Sequence, residues 1–236
     1  MKRRLLKRGL SAWLALALCS GLSALAQVSP SVDEVARYTG LHAAAHEGDV
    51  ARIQRLTADG VKRPELDARD GRGRTPVHVA TFAHQRDAIR VLAKAGADLG
   101  LLDNDRYDAV TIAAVADDEE TLRVLLTAGA SAKLTTSIYD GTALIAAAHL
   151  GHSGVVKQLI AAGAPLDHVN NLHWTALIEA IVLGQGGPRH QEIVRALLAA
   201  GARTELADRQ GNTPLQLAKA RGYREIVQML EQARAR

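Results

Sequence analysis

Cysteine and large rings are nearly missing from this chain. Its 236 residues include one cysteine, one phenylalanine and two methionines, and aromatic side chains make up 3% of it. The single Cys19 lies in an amino-terminal stretch read below as removable. The mature chain therefore has no disulfide, no thiol nucleophile and no cysteine-based metal site. Leu18 is not the small residue that a lipoprotein signal places before its cysteine. No phosphate-cradling loop, nucleophile elbow or metal-ligand spacing occurs either, so neither a cofactor nor a bound metal is expected.

Apolar residues form 47% of the sequence, mostly alanine, leucine and valine. A core of many small aliphatic contacts suits thin helices stacked closely better than one large globular core. The formal charge of +4 and pI near 9.4 would fit a nucleic-acid binder. The basic excess, however, sits at the start. MKRRLLKRGLSAWLALALCSGLSALAQ has a basic head, an uncharged leucine- and alanine-rich run, and a small-x-small site at Ala24-Leu25-Ala26. This reads as a bacterial secretory signal over residues 1–26, with the periplasm as destination. The uncharged run continues to Val32 and is long enough for an uncleaved anchor, but Ser11, Ser20, Gly21 and Ser23 dilute it. Removing five of the 29 basic residues leaves 24 against 25 acidic, and the case for nucleic acid goes with them.

The remainder is periodic. Aligned on a threonine or aspartate that opens an alanine-rich run, the chain has anchors at Thr39, Thr75, Asp108, Thr142, Thr175 and Thr213, spaced by 36, 33, 34, 33 and 38 residues. Each anchor is a good helix N-cap, and Pro76 and Pro214 take the first helical position, where a missing N–H costs nothing. First helices are expected to stop near Gly48, Gly151, Gly184 or Gly222, and second helices at Gly60, Gly96, Gly129, Gly163 or Gly201. Neither is long enough to persist alone, so the units must stack.

TPVHVA (Thr75 to Ala80) and DRQGNTPLQLA (Asp208 to Ala218), with the GADL and GAPL endings, resemble the ankyrin-repeat signature over about residues 39–231. As a whole the chain resembles the exported bacterial ankyrin-repeat proteins. That resemblance implies an all-α solenoid of helix-turn-helix units with β-hairpin-like loops at one side. It also implies a concave groove lined by loop tips and first helices. Residues 27–38 would form a lead-in cap and residues 39–236 the repeat domain. In the family, the histidine of the TPLH motif is structural, which assigns His42 and His78; His152 falls in the Gly-His pair and is assigned likewise.

Departures from the pattern gather in repeats three to five. Four residues after the anchors stand Ala43, Val79, Ile112, Ala146, Glu179 and Leu217, so Glu179 breaks an apolar column. It shares a helical face with the groove positions seven and eight residues after the anchor, and His149 holds one of these a repeat earlier. Such a glutamate is expected to border solvent. Arg106, Asp140 and His173 replace the glycine found two residues before a regular anchor. Tyr107, Trp174 and nearby Tyr139 are three of only six aromatic residues after the signal. Asp117 and Asp118 replace the Gly-His pair, and five extra residues lie within GQGGPRH.

Exposed aromatics at loop tips are what binding surfaces use. The reading is a noncatalytic protein-binding module whose partner, a periplasmic or envelope protein or peptide, contacts Arg106, Tyr107, Asp108, Tyr139, Asp140, His149, His173, Trp174 and Glu179. The rival reading is a small-molecule or acid–base site built from Asp108, Asp117, Asp140, His149 and Glu179, with the insertion as a lid. A deep cavity there, or a raised Glu179 pKa, would favour the rival.

Overall fold

The computed structural model describes residues 27–58 and 63–235. The stretch read as a secretory signal, and Gly60 as an expected helix stop, lie outside the described residues. Six helix pairs follow a short lead-in helix α1 (Val32–Ala36): α2 (Gly40–Glu47) and α3 (Val50–Thr57), then, after the single turn α4 (Arg63–Leu66), α5 (Pro76–Phe82) and α6 (Arg86–Lys94), α7 (Ala109–Val115) and α8 (Glu119–Thr127), α9 (Ala143–Leu150) and α10 (Ser153–Ala161), α11 (Ala176–Val182) and α12 (Pro188–Ala199), and α13 (Pro214–Ala220) and α14 (Arg224–Arg234). First helices pack in series on one another and second helices do the same behind them, giving the two layers of an all-helical solenoid.

Asp108, Thr142, Thr175 and Thr213 cap helices through their side chains, whereas Thr39 makes no such bond. Asp108, Thr142 and Thr175 accept the backbone N–H three residues on, at 2.9, 3.3 and 3.3 Å. Thr75 works through His78 instead: its N–H donates to Nδ1 at 3.1 Å, while His78 Nε2 meets the carbonyl of Tyr107 in the next repeat at 3.0 Å. His78 is therefore a neutral Nε2–H tautomer, its pKa pushed by burial down to about 4. His42 bonds the Arg74 carbonyl and His152 the Ala114 carbonyl, at 3.0 and 2.9 Å. All three histidines tie one repeat to the next.

Close stacking has a visible cause. Five residues after each anchor every first helix carries alanine (Ala44, Ala80, Ala113, Ala147, Ala180, Ala218), none more than 1% exposed. A methyl is all that fits between helices at this approach. Leu92, Leu125, Leu159, Leu197 and Leu230 seal the layer between first and second helices, whereas Leu56 of the first repeat is 42% exposed.

The loops form no strand among the described residues; Thr136 and Gly141 make an isolated antiparallel bridge. Backbone bonds nonetheless link neighbouring tips: Asn104 N–H donates to the Arg72 carbonyl, Ser137 to Arg106 and Asn171 to Tyr139, at 2.8–2.9 Å. At the amino end, Arg74 is 1% exposed. It donates to Asp70 and Glu34 at 2.7 Å each and to the Val28 carbonyl at 3.2 Å. Tyr38 donates to the same Asp70 at 2.7 Å, so the lead-in is clamped onto the second repeat.

The five extra residues of repeat five do not form a lid. They make the Gly184–Gly187 turn and lengthen α12 to 12 residues against nine in α6, α8 and α10. Tyr223 Oη donates to the Gly184 carbonyl at 2.9 Å and Gln191 Nε2 to the Gly186 carbonyl at 2.8 Å, pinning the turn in place.

Candidate functional site

In each regular loop an aspartate five residues before the anchor organises the turn. The Oδ1 atoms of Asp70, Asp103 and Asp208 each accept two backbone N–H groups, two and four residues on. In repeat five this residue is Asn170. Its Oδ1 makes the same two bonds, to Leu172 N at 3.0 Å and Trp174 N at 2.9 Å. The other end of the amide is thereby free to donate, and Nδ2 reaches Glu179 Oε1 at 3.0 Å.

Glu179 does not border solvent. It is 4% exposed, and the column it occupies is sealed or half-sealed throughout. Its Oε2 is buried without a hydrogen-bond partner. Facing that oxygen is His149 Nδ1, 3.7 Å away, too far for a hydrogen bond. Burial pushes the Glu179 carboxyl up to about 7, against the opposing effect of the Asn170 bond. Burial, with the nearby His190 and His152, lowers His149. Both groups are held toward neutrality by the same apolar surroundings.

The expected site residues divide into tips and floor. Asp108 belongs to neither: at 1% exposure its carboxylate is spent on capping α7, because the anchor position is sealed under its own loop. Arg106 and Asp140 are paired across adjacent tips at 2.9 Å. His173 is exposed, and Tyr107, Tyr139 and Trp174 are half-buried. The tips also carry two residues that the pattern did not flag, Ile138 at 58% and Leu172 at 39% exposure. They were legible only as apolar residues in otherwise polar turns.

Backbone geometry marks the same tips. Regular turns need a left-handed residue two before the anchor, and glycine supplies it at Gly73 (φ 75°) and Gly211 (φ 80°). Arg106, Asp140 and His173 take φ of 64°, 51° and 65° at that position. Each non-glycine side chain there costs about 1 kcal/mol. Three consecutive repeats carry that cost while the flanking second and sixth do not.

Two cavities, of about 410 and 430 Å3, lie away from these residues: one between the lead-in and the second repeat beside Tyr38 and His42, the other on the second-helix side between Arg90 and Arg123. Neither touches Glu179. Among the described residues no cluster of histidine, cysteine, aspartate or glutamate has the geometry to hold a metal ion.

The family model described as ankyrin repeats (3 copies) matches residues 14–103 and 110–208. The chain belongs to the ankyrin-repeat proteins. It is 36% identical over 188 residues to the putative ankyrin repeat protein YahD of Escherichia coli K12, covering 79% of this chain and 92% of that one. The crystal structure of an ankyrin repeat domain from Acinetobacter baumannii AYE superposes with a TM-score of 0.75 at 46% identity, covering 82% of this chain and 96% of that one. The ankyrin repeat domain of Bcl-3, a member of the IkappaB protein family, gives 0.73 at 27% identity, covering 84% and 86%. Ankyrin-repeat homologues are typically noncatalytic modules that bind other proteins.

Proposed function

We propose that this ankyrin-repeat protein is an exported, noncatalytic module of the bacterial envelope. Its partner protein would lie against the tips and groove of repeats three to five. One observation carries the reading: the left-handed Arg106, Asp140 and His173 keep side chains at three consecutive tips where glycine would be less strained. Apolar exposure follows the same surface. Of the seven exposed large hydrophobic residues among the described residues, Ile138, Leu150, Val169 and Leu172 belong to repeats four and five and their loops. Half-buried Tyr107, Tyr139 and Trp174 supply rigid anchors beside them. The signal-like amino terminus supports the envelope location.

The test is affinity capture from a periplasmic extract, using the chain from Gln27 beside an Ile138→Asp, Leu172→Asp double variant. Both substitutions are at exposed sites, so folding is preserved. A protein retained by the parent and lost by the variant supports the reading. Equal retention by both removes the tips from the binding surface.

A second reading, acid–base or small-molecule chemistry at Glu179 and His149, draws on the raised Glu179 carboxyl. Burial accounts for that rise, and His149 Nδ1, at 3.7 Å, makes no hydrogen bond to the carboxyl that proton transfer would use. The interaction reading is therefore preferred.

A further inference from the structure

The groove floor of repeats three to five is apolar apart from one hidden acceptor. Seven and eight residues after their anchors stand Val115, Ala116, Leu150, Val182 and Leu183, all half-buried or exposed, and among them His149. Beneath the His149 ring lies the unpartnered Glu179 Oε2. Among the described residues no hydrogen bond holds the ring, whose side chain is 36% exposed. It stands 3.7 Å from the carboxylate, between contact and bond, and is the more exposed of the two.

We infer that this place is a receptor for a single lysine side chain of the protein partner, with Glu179 Oε2 accepting from the ammonium group after the His149 ring swings aside. This inference rests on the proposed function and names the chemistry its partner must present. The number of open acceptors selects the cation. Glu179 Oε1 is already committed to Asn170, so one oxygen remains. An arginine fork seeks two parallel acceptors, whereas an ammonium group is a compact charge that one oxygen can meet. The lysine stem is apolar and lies comfortably across a floor of valine and leucine. A segment with one lysine among aliphatic residues complements this floor in both charge and hydropathy.

Occupancy depends on pH with a definite sign. The carboxyl, raised to about 7, must lose its proton to receive a cation. The ionisable groups around Glu179 and His149 include His152, at the start of α10, which with His190 opposes a charge on His149 and itself stands 3.9 Å from Asp117. From α9 Glu179 meets His149, and from α12 His190 stands behind with Nε2 3.1 Å from the His149 carbonyl. On α13, Lys219 is turned to Glu231 of α14 at 2.7 Å, and Arg221 holds the groove position of repeat six. Protonation of Glu179 or of His149 opposes cation entry, so binding strengthens from pH 6 to pH 8, by roughly tenfold from the ionised fraction of Glu179 alone.

The experiment is an NMR titration of the chain from Gln27 with n-butylammonium, n-butylguanidinium and n-butanol, reading the His149 ring and the Glu179 carboxyl carbon. Expected at pH 8 is a saturable shift with butylammonium, weaker with butylguanidinium and absent with butanol, and about tenfold weaker at pH 6. Glu179→Gln removes the response, and His149→Ala, which uncovers the acceptor, tightens it several-fold. No saturable shift, an equal response in Glu179→Gln, or preference for the guanidinium overturns the receptor. If butylammonium fails while partner capture still depends on Ile138 and Leu172, only the receptor falls. If butylammonium binds while no protein is captured, the interaction reading falls and an amine site remains.

Discussion

Asn170 and Glu179 are a matched pair. The loop residue that is aspartate in repeats two, three and six is asparagine in the repeat whose helix carries a buried glutamate, and the amide donates to that glutamate at 3.0 Å. An aspartate here would keep the turn, since its Oδ1 would accept the same two N–H groups. It would also set a second carboxylate against Glu179 out of water.

Restoring the regular residue therefore harms this repeat. Asn170→Asp is expected to cost about 2 kcal/mol at pH 8, from like-charge contact and a lost bond. Adding Glu179→Gln, whose amide can donate to the new carboxylate, should recover most of it. Urea unfolding of the four members of this double-mutant cycle measures the coupling; additive effects would mean the pair is not one unit.

Glu179 also makes stability fall with pH. Its folded pKa of about 7 lies above the unfolded value of 4.5, so the folded chain holds the proton more tightly. The stability this provides is complete below pH 4.5 and is lost as pH rises through 7. Relative to Glu179→Gln, the parent should lose roughly 3 kcal/mol across that window, at 1.36 kcal/mol for each pKa unit. Parallel pH–stability curves for the two proteins would contradict the buried carboxyl.

Much of the fold is legible because it is local. Anchors, their spacing and the second-helix glycines follow from capping rules acting within a few residues, and Gly96, Gly129, Gly163 and Gly201 are all left-handed as expected. The Glu179 anomaly was equally plain in the repeat alignment, but its burial was not. Hidden as well was the partner that satisfies the buried carboxyl, Asn170, nine residues earlier, which in isolation reads as an ordinary turn residue. Comparing the five turns at that position exposes the change from aspartate. Asp108 was misplaced for the opposite reason: its charge drew attention, while its anchor position already implied a sealed cap. Arg74 carried no signal, because its partners Glu34 and Val28 come from the lead-in, 40 and 46 residues away.

The Arg74 clamp is testable through Asp70, which accepts from Tyr38 Oη and from Arg74 Nε. Burial alone would raise the Asp70 carboxyl, and these hydrogen bonds outweigh it and hold it below its usual range. Asp70→Ala leaves a sealed guanidinium short of a partner and is expected to cost about 3 kcal/mol. Hydrogen exchange should show the lead-in and second repeat opening first. Uniform protection would mean the lead-in is held by other contacts.

At the tips, stability and binding should move in opposite directions. Replacing Arg106 or His173 by glycine relieves a left-handed side chain, and each is expected to raise stability by about 0.5–1 kcal/mol. The same substitutions should weaken partner capture. Raised stability with unchanged capture would assign the strain no part in binding.

Site-specific photo-crosslinking in living cells tests the binding surface most directly. A benzophenone side chain is placed in turn at Ile138, Leu172 and Leu56, the last an exposed residue of the second-helix layer in repeat one. The account predicts one discrete adduct from positions 138 and 172 and none from 56. Adducts from 56 alone, or equally from all three, would contradict a partner seated on the tips of repeats four and five.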